Sequence, residues 1–72
     1  MIKVGQIYKS KNNTIFVVSD INKGFYSVVY KGGYAVTYDE TTISMPFVFA
    51  ELIAEYPTWQ EAVNSKEFRD EI

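Results

Sequence analysis

The chain has no cysteine and no histidine among its 72 residues. Without Cys, disulfide staples and Cys nucleophiles are excluded. Without either residue the usual zinc sites and His-ligated haem are excluded too, and no cofactor or metal is expected. No apolar run approaches the ~20 residues of a membrane-spanning helix. The opening Met1-Ile2-Lys3-Val4-Gly5 carries no apolar stretch of signal-peptide type. Both observations favour a cytoplasmic protein with no membrane contact.

What is present is aromatic. Five Phe, six Tyr and one Trp are the source of stability in a chain short enough to have only a thin core. A single domain spanning 1–72 is expected. Net charge is −2, but residues 1–38 sum to +4 and residues 39–72 to −6. Such asymmetry fits a basic sheet packed beside an acidic C-terminal segment. It also fits a basic binding surface with an acidic tail.

Alternating or β-rich runs place strands at about 2–9, 14–21, 25–31, 34–40 and 51–56. In Ile2–Lys9, Ile2, Val4, Gln6 and Tyr8 lie on one side, Lys3, Gly5, Ile7 and Lys9 on the other. Ser10-Lys11-Asn12-Asn13 reads as a four-residue turn, Asn22-Lys23-Gly24 as a three-residue turn and Gly32-Gly33 as a two-residue hairpin loop. These turn lengths put Ile2, Val4, Tyr8, Ile15, Val17, Ile21, Phe25, Val29, Val36 and Tyr38 on one face. Phe16, Val18, Tyr26, Val28 and Tyr30 fall on the other. An antiparallel sheet with one wet face would not look like this, so the second face needs a cover.

Thr41-Thr42-Ile43 is β-prone and Pro46 interrupts it. Residues 47–56 admit two readings. Apolar positions 48, 49, 52, 53 and 56, opposite Glu51 and Glu55, fit a helix. A short turn over 47–50 followed by a strand over 51–56 fits the architecture better, and the strand is the expectation adopted. Pro57-Thr58-Trp59-Gln60-Glu61 is a helix start: Thr58 caps and Glu61 stands three residues on. A helix over 58–64 then carries Trp59, Ala62 and Val63. Ser65 caps a second helical segment over 66–71, with Phe68 and Ile72. The expected cover for the face of Phe16, Val18, Val28 and Tyr30 is this segment, through Trp59, Val63 and Phe68. The fold expected is α+β, a small SH3-like antiparallel barrel of four or five strands with a short C-terminal helix on the sheet.

The ending Tyr56–Phe68 resembles the C-terminal segment of small uncharacterised proteins encoded by phages and prophages of Gram-positive bacteria. The opening Lys3-Val4-Gly5-Gln6-Ile7-Tyr8 is similar to the start of many of them and of many SH3-like domains. The resemblance covers about a quarter of the chain. It implies a phage or prophage setting, hence the cytoplasm of a bacterial host, and it implies no activity.

Nothing in the sequence assembles catalytic machinery. Asp39 and Glu40 are adjacent and point to opposite faces of a strand, no G-x-S-x-G elbow exists, and Gly32-Gly33 is followed by Tyr34 instead of a phosphate-binding helix. A non-enzymatic module acting through a protein partner is therefore expected, as a monomer or weak homodimer. The candidate contacts are Tyr8, Lys9, Lys11, Tyr30, Lys31 and Tyr34. Trp59 is a further candidate, more readily explained as a core anchor. The alternative is a single-stranded nucleic-acid binder, with Lys3, Lys9, Lys11, Lys23 and Lys31 on phosphates and Tyr8, Tyr26, Tyr30 and Tyr34 under bases.

Overall fold

The computed structural model describes residues 2–41, 47 and 50–69. It is α+β: β1 Gln6–Lys9, β2 Ile15–Asn22, β3 Phe25–Tyr30, β4 Ala35–Asp39, β5 Glu51–Glu55, α1 Trp59–Val63 and α2 Lys66–Arg69. The strands form one antiparallel sheet in the order β4-β3-β2-β1-β5. Residues 42–46, 48–49 and 70–72 lie outside the described set. With them go most of the Thr41–Ile43 stretch, Pro46, the apolar positions 48 and 49, and Ile72. The 51–56 segment is a strand through Glu55.

The first strand begins later than Ile2 because Val4 and Gly5 turn, with Gly5 at φ +94°. The first and third hairpin registers differ from the expected ones, and the second differs only beyond a bulge. The first turn is three residues long: Ser10 N–H donates to the Thr14 carbonyl at 2.8 Å and Asn13 takes φ +69°. Ile7 therefore faces Val17, and Tyr8 faces Phe16. The Gly-Gly turn also has three residues, since Tyr30 N–H donates to the Tyr34 carbonyl at 2.8 Å. Val28 thus pairs with Val36, and Tyr26 with Tyr38. The β2–β3 turn has two, Lys23 at φ +46° and Gly24 at φ +84°, and a bulge at Ser19 absorbs the difference.

Since side chains alternate, a slip of one residue moves a strand's whole apolar set to the other face. Tyr8, Val36 and Tyr38 accordingly join the face of Phe16, Val18 and Val28, and Ile7 takes the place assigned to Tyr8. Beyond the bulge, Ile21 lies opposite Tyr26. Ile21 and Phe25 are exposed, not core, because this part of the hairpin overhangs β1.

The two faces are covered by different segments, in the reverse of the expected arrangement. Trp59, Ala62, Val63 and Phe68 of the helices pack on Ile7, Ile15, Val17 and Val29. Phe16, Val18 and Val28 are instead covered by Ile2, Phe47 and Ala50, with Tyr8, Tyr30, Val36 and Tyr38 around them. Burial of this kind contributes about 1.5–3 kcal/mol per large apolar side chain. Thr58 caps α1 as expected, its hydroxyl accepting Glu61 N–H at 3.2 Å. Buried Ser65 joins the helices: it donates to the Ala62 carbonyl at 2.6 Å and accepts Phe68 N–H at 3.3 Å.

Candidate functional site

The corrected registers create a feature that the expected ones do not contain. Leu52, Tyr8, Phe16, Tyr30 and Tyr34 are successive cross-strand neighbours, one from each strand or its flanking turn. They form one row across the full width of the sheet. Its centre is sealed: Phe16 is 1% exposed, while Tyr34 at one end is 57% and Leu52 at the other is 46%.

The row is held ring against ring. Tyr8 stacks on Phe16 at 5.7 Å between centroids, and Phe16 meets Tyr30 at 5.3 Å. Phe47 closes the face, edge-on to Tyr8 at 4.8 Å and to Phe16 at 5.2 Å. Tyr34 lies nearly parallel on Tyr30, 5.0 Å away with 14° between planes. Offset-stacked and edge-to-face pairs are the favoured geometries of aromatic quadrupoles, each contributing about 0.5–1.5 kcal/mol beyond burial.

Polar ends fix the rings. Tyr30 and Tyr38 share a hydroxyl–hydroxyl hydrogen bond of 2.9 Å. Tyr8 Oη donates to Gln6 Oε1 at 2.8 Å; Gln6 is itself buried and donates Nε2 to Glu55 at 2.7 Å. Burial, then the Glu55 carboxylate, raises the Tyr8 phenol above its ordinary range. Burial, then the Tyr38 hydrogen bond, does the same to Tyr30. Both phenols are neutral at neutral pH.

At the same end of the sheet lie the β1–β2 and β3–β4 turns. Lys31 N–H donates to the Ile15 carbonyl at 2.8 Å and ties one turn to the other. Asn12 Oδ1 accepts from the Thr14 hydroxyl at 2.8 Å and from Thr14 N–H at 3.3 Å, bracing the first turn. Lys9, Lys11 and Lys31 are therefore at one end with Tyr34. Lys9 is half-buried and faces Glu51 across the β1–β5 ladder.

Of the six candidate contacts, Tyr34 is the exposed aromatic and Lys11 the exposed cation. Lys9 and Lys31 are partly covered, and Tyr8 and Tyr30 form the backing of the row. Trp59 packs against the Ile7–Val17 core. Sequence reasoning did not single out Phe47, Gln6 or Leu52. A buried Gln carries no sequence signal of its own, and Phe47 acquires its role only through the registers of three other strands.

Among the described residues, no group of three His, Cys, Asp or Glu is placed to hold a metal. Among the described residues no buried side-chain nitrogen or oxygen lacks a hydrogen-bond partner. No helix among them is long and apolar enough to cross a membrane. No protein-family model matches this chain, and neither a curated protein nor a solved structure matches it significantly.

Proposed function

We propose that this chain is a non-enzymatic binding module acting through protein–protein contacts. In the setting implied by its C-terminal resemblance, it is a phage or prophage accessory protein in the cytoplasm of a bacterial host. The observation that carries the reading is Tyr34. It is 57% exposed, yet its ring is seated on Tyr30 at 5.0 Å in a row whose centre, Phe16, is buried. A partner that covers such an aromatic gains apolar burial with little loss of side-chain entropy, because the ring is already immobilised. The strand order β4-β3-β2-β1-β5, a meander whose last strand returns beside the first, supports the finer description of the sheet as SH3-like. Folds of that class grip extended segments between aromatic-bearing loops.

A single-stranded nucleic-acid binder is the second reading, supported by Lys9, Lys11 and Lys31 lying at the end that carries Tyr34. It is disfavoured by Glu51 opposite Lys9 and by the net charge of −2, which repels a polyanion at long range.

Pull-down from host lysate, with and without nuclease, separates the two. A nuclease-resistant partner, weakened about tenfold by Tyr34→Ala, is the expected result. A nuclease-sensitive partner set, with polydT binding that falls steeply with salt, would establish the second reading in its place.

A further inference from the structure

At the end of the sheet opposite Tyr34, the β2–β3 hairpin and β4 extend past β1. On the face of Val29 the side chains of this extension form two rows. Asp20, Ser27 and Thr37 make the first, and Asn22, Phe25 and Asp39 the second. The helices stop short of both. Trp59, Ala62, Val63 and Phe68 pack on Ile7, Ile15, Val17 and Val29, and Phe25 belongs to neither core cluster. Phe25 is 55% exposed.

The platform that carries it is fixed. The Ser27 and Thr37 hydroxyls share a hydrogen bond of 3.0 Å, and Ser19 Oγ donates to the Ser27 carbonyl at 3.2 Å. Phe25 is paired on both sides, with Asn22 and with Asp39. Its ring therefore stands at a set place on the sheet and loses little freedom when covered.

One exposed ring needs no partner by itself; its neighbours select one. Asp20 is exposed and diagonal to Phe25 across the β2–β3 ladder, a spacing of about 7–8 Å. Glu40 is exposed too, and its Oε2 lies 3.1 Å from where a Cβ would stand on Gly24, the residue before Phe25. Asp39 has its Oδ1 engaged by the Thr41 N–H and hydroxyl, and the site does not draw on it.

We infer that Phe25, Asp20 and Glu40 form a docking site for an arginine side chain of a partner protein. The guanidinium lies flat on the ring, attracted by its quadrupole, and turns its N–H groups to the carboxylates at the rim. Charge decides the occupant. An anionic lipid surface meets Asp20 and Glu40 as like charges, and Phe25 of a second copy would bring the same two carboxylates with it. Lys23, at the apex of the turn, offsets one of the two and leaves the rim net negative. A lysine is the poorer fit, because its ammonium is a compact, strongly hydrated point charge that cannot stack.

NMR titration of the full chain with a capped tripeptide of one arginine between two glycines, and with its lysine and citrulline counterparts, tests the inference. The arginine peptide is expected to give saturable shifts centred on Asp20, Asn22 and Phe25, with a Kd on the order of 10 mM. The lysine peptide is expected to bind more weakly, and the uncharged citrulline peptide to give no saturable shift. Phe25→Leu keeps both carboxylates and is expected to weaken arginine binding about three- to fivefold. Asp20→Asn combined with Glu40→Gln keeps the ring and is expected to abolish saturation. All three positions are exposed, so the core is untouched. Arginine binding that Phe25→Leu leaves unchanged would reduce the site to unspecific acidic charge and overturn the inference. Equal shifts with the citrulline peptide, or Phe25 shifts produced by anionic vesicles or by dimerisation of the chain alone, would overturn it too. These variants lie at the end opposite Tyr34, so the two proposals fail separately.

Discussion

Gly5 and Tyr56 meet backbone to backbone. Tyr56 N–H donates to the Gly5 carbonyl at 3.0 Å, and a Cβ on Gly5 would lie 2.1 Å from the Tyr56 carbonyl oxygen. This contact joins the start of β1 to the end of β5, just where the chain turns into α1. Gly5 also sits at φ +94°, so a side chain meets both strain and a collision with backbone that cannot move aside. Gly5→Ala is expected to destabilise by about 3 kcal/mol. Gly33 has the same φ but nothing within 4 Å of its would-be Cβ. Gly33→Ala is expected to cost only about 1–2 kcal/mol. Urea denaturation of both variants measures the difference. Equal losses would show that the Gly5–Tyr56 contact is not what fixes the β1–β5 junction.

The two covers predict two different failures. A chain ending at Tyr56 loses Trp59, Ala62, Val63 and Phe68 and bares Ile7, Ile15 and Val17. It is expected to bind hydrophobic dyes and to aggregate. Phe47→Ala opens the opposite face over Tyr8 and Phe16, at an expected cost of about 3 kcal/mol. It should leave the helices folded. Near-ultraviolet circular dichroism reads both, since Trp59 reports one face and Tyr8, Tyr30 and Tyr38 the other. A dye-silent monomer from the shortened chain would contradict the assignment of the helical cover.

Glu67 offers a pH handle. The Tyr56 hydroxyl donates to its carboxylate, and this bond first, then the backbone, holds its pKa below the ordinary carboxylate range. A depressed folded-state pKa contributes stability above the unfolded carboxylate range, and that contribution is lost as pH falls through the folded value. Tyr56→Phe is expected to move the Glu67 pKa back up toward the ordinary range, measured by NMR titration of its side chain. An unmoved titration would mean that the backbone bond alone sets it.

The aromatic row predicts the alkaline limb. Tyr30 is raised by burial and by its bond to Tyr38, and Tyr8 by burial and Glu55. Their neutral forms are favoured by folding. That stability is whole at neutral pH and falls once pH passes the unfolded tyrosine value near about 10. Tyr30→Phe is expected to flatten this decline while lowering stability at pH 7 by about 1 kcal/mol through loss of the Tyr38 hydrogen bond. A variant with the same alkaline slope as wild type would place the titration elsewhere.

The helix start was legible at Thr58 and Glu61, because capping is local chemistry. The strand at Glu51–Glu55 was legible only from architecture, since its apolar spacing suits a helix as well. The core register of the second hairpin was legible, pairing Phe16 to Val18 with Val28 to Tyr30, but those of the first and third hairpins were not. Gly32 and Gly33 permit a two- or a three-residue turn equally well. The longer turn is chosen where Lys31 N–H extends the β2–β3 ladder to the Ile15 carbonyl, and where Tyr34 lands on Tyr30. Asn13 and the Ser19 bulge act in the same way, each shifting a ladder by one residue. The six candidate contacts were gathered from composition, and the structure brings all six to one end of the sheet. It turns two of the tyrosines, Tyr8 and Tyr30, into scaffold for the exposed Tyr34.

Sequence alone determined that this chain folds into paired strands with apolar side chains on both faces, followed by two short capped helices. Those properties follow from residue type and spacing within a few positions. Only the tertiary structure decided which residues share a face and which segment covers it. Cross-strand neighbours are set by turn lengths and bulges, which are settled by contacts between strands far apart in sequence. The row from Leu52 to Tyr34, on which the proposed function rests, exists because three ladders and one turn closed in step, and no single segment encodes it.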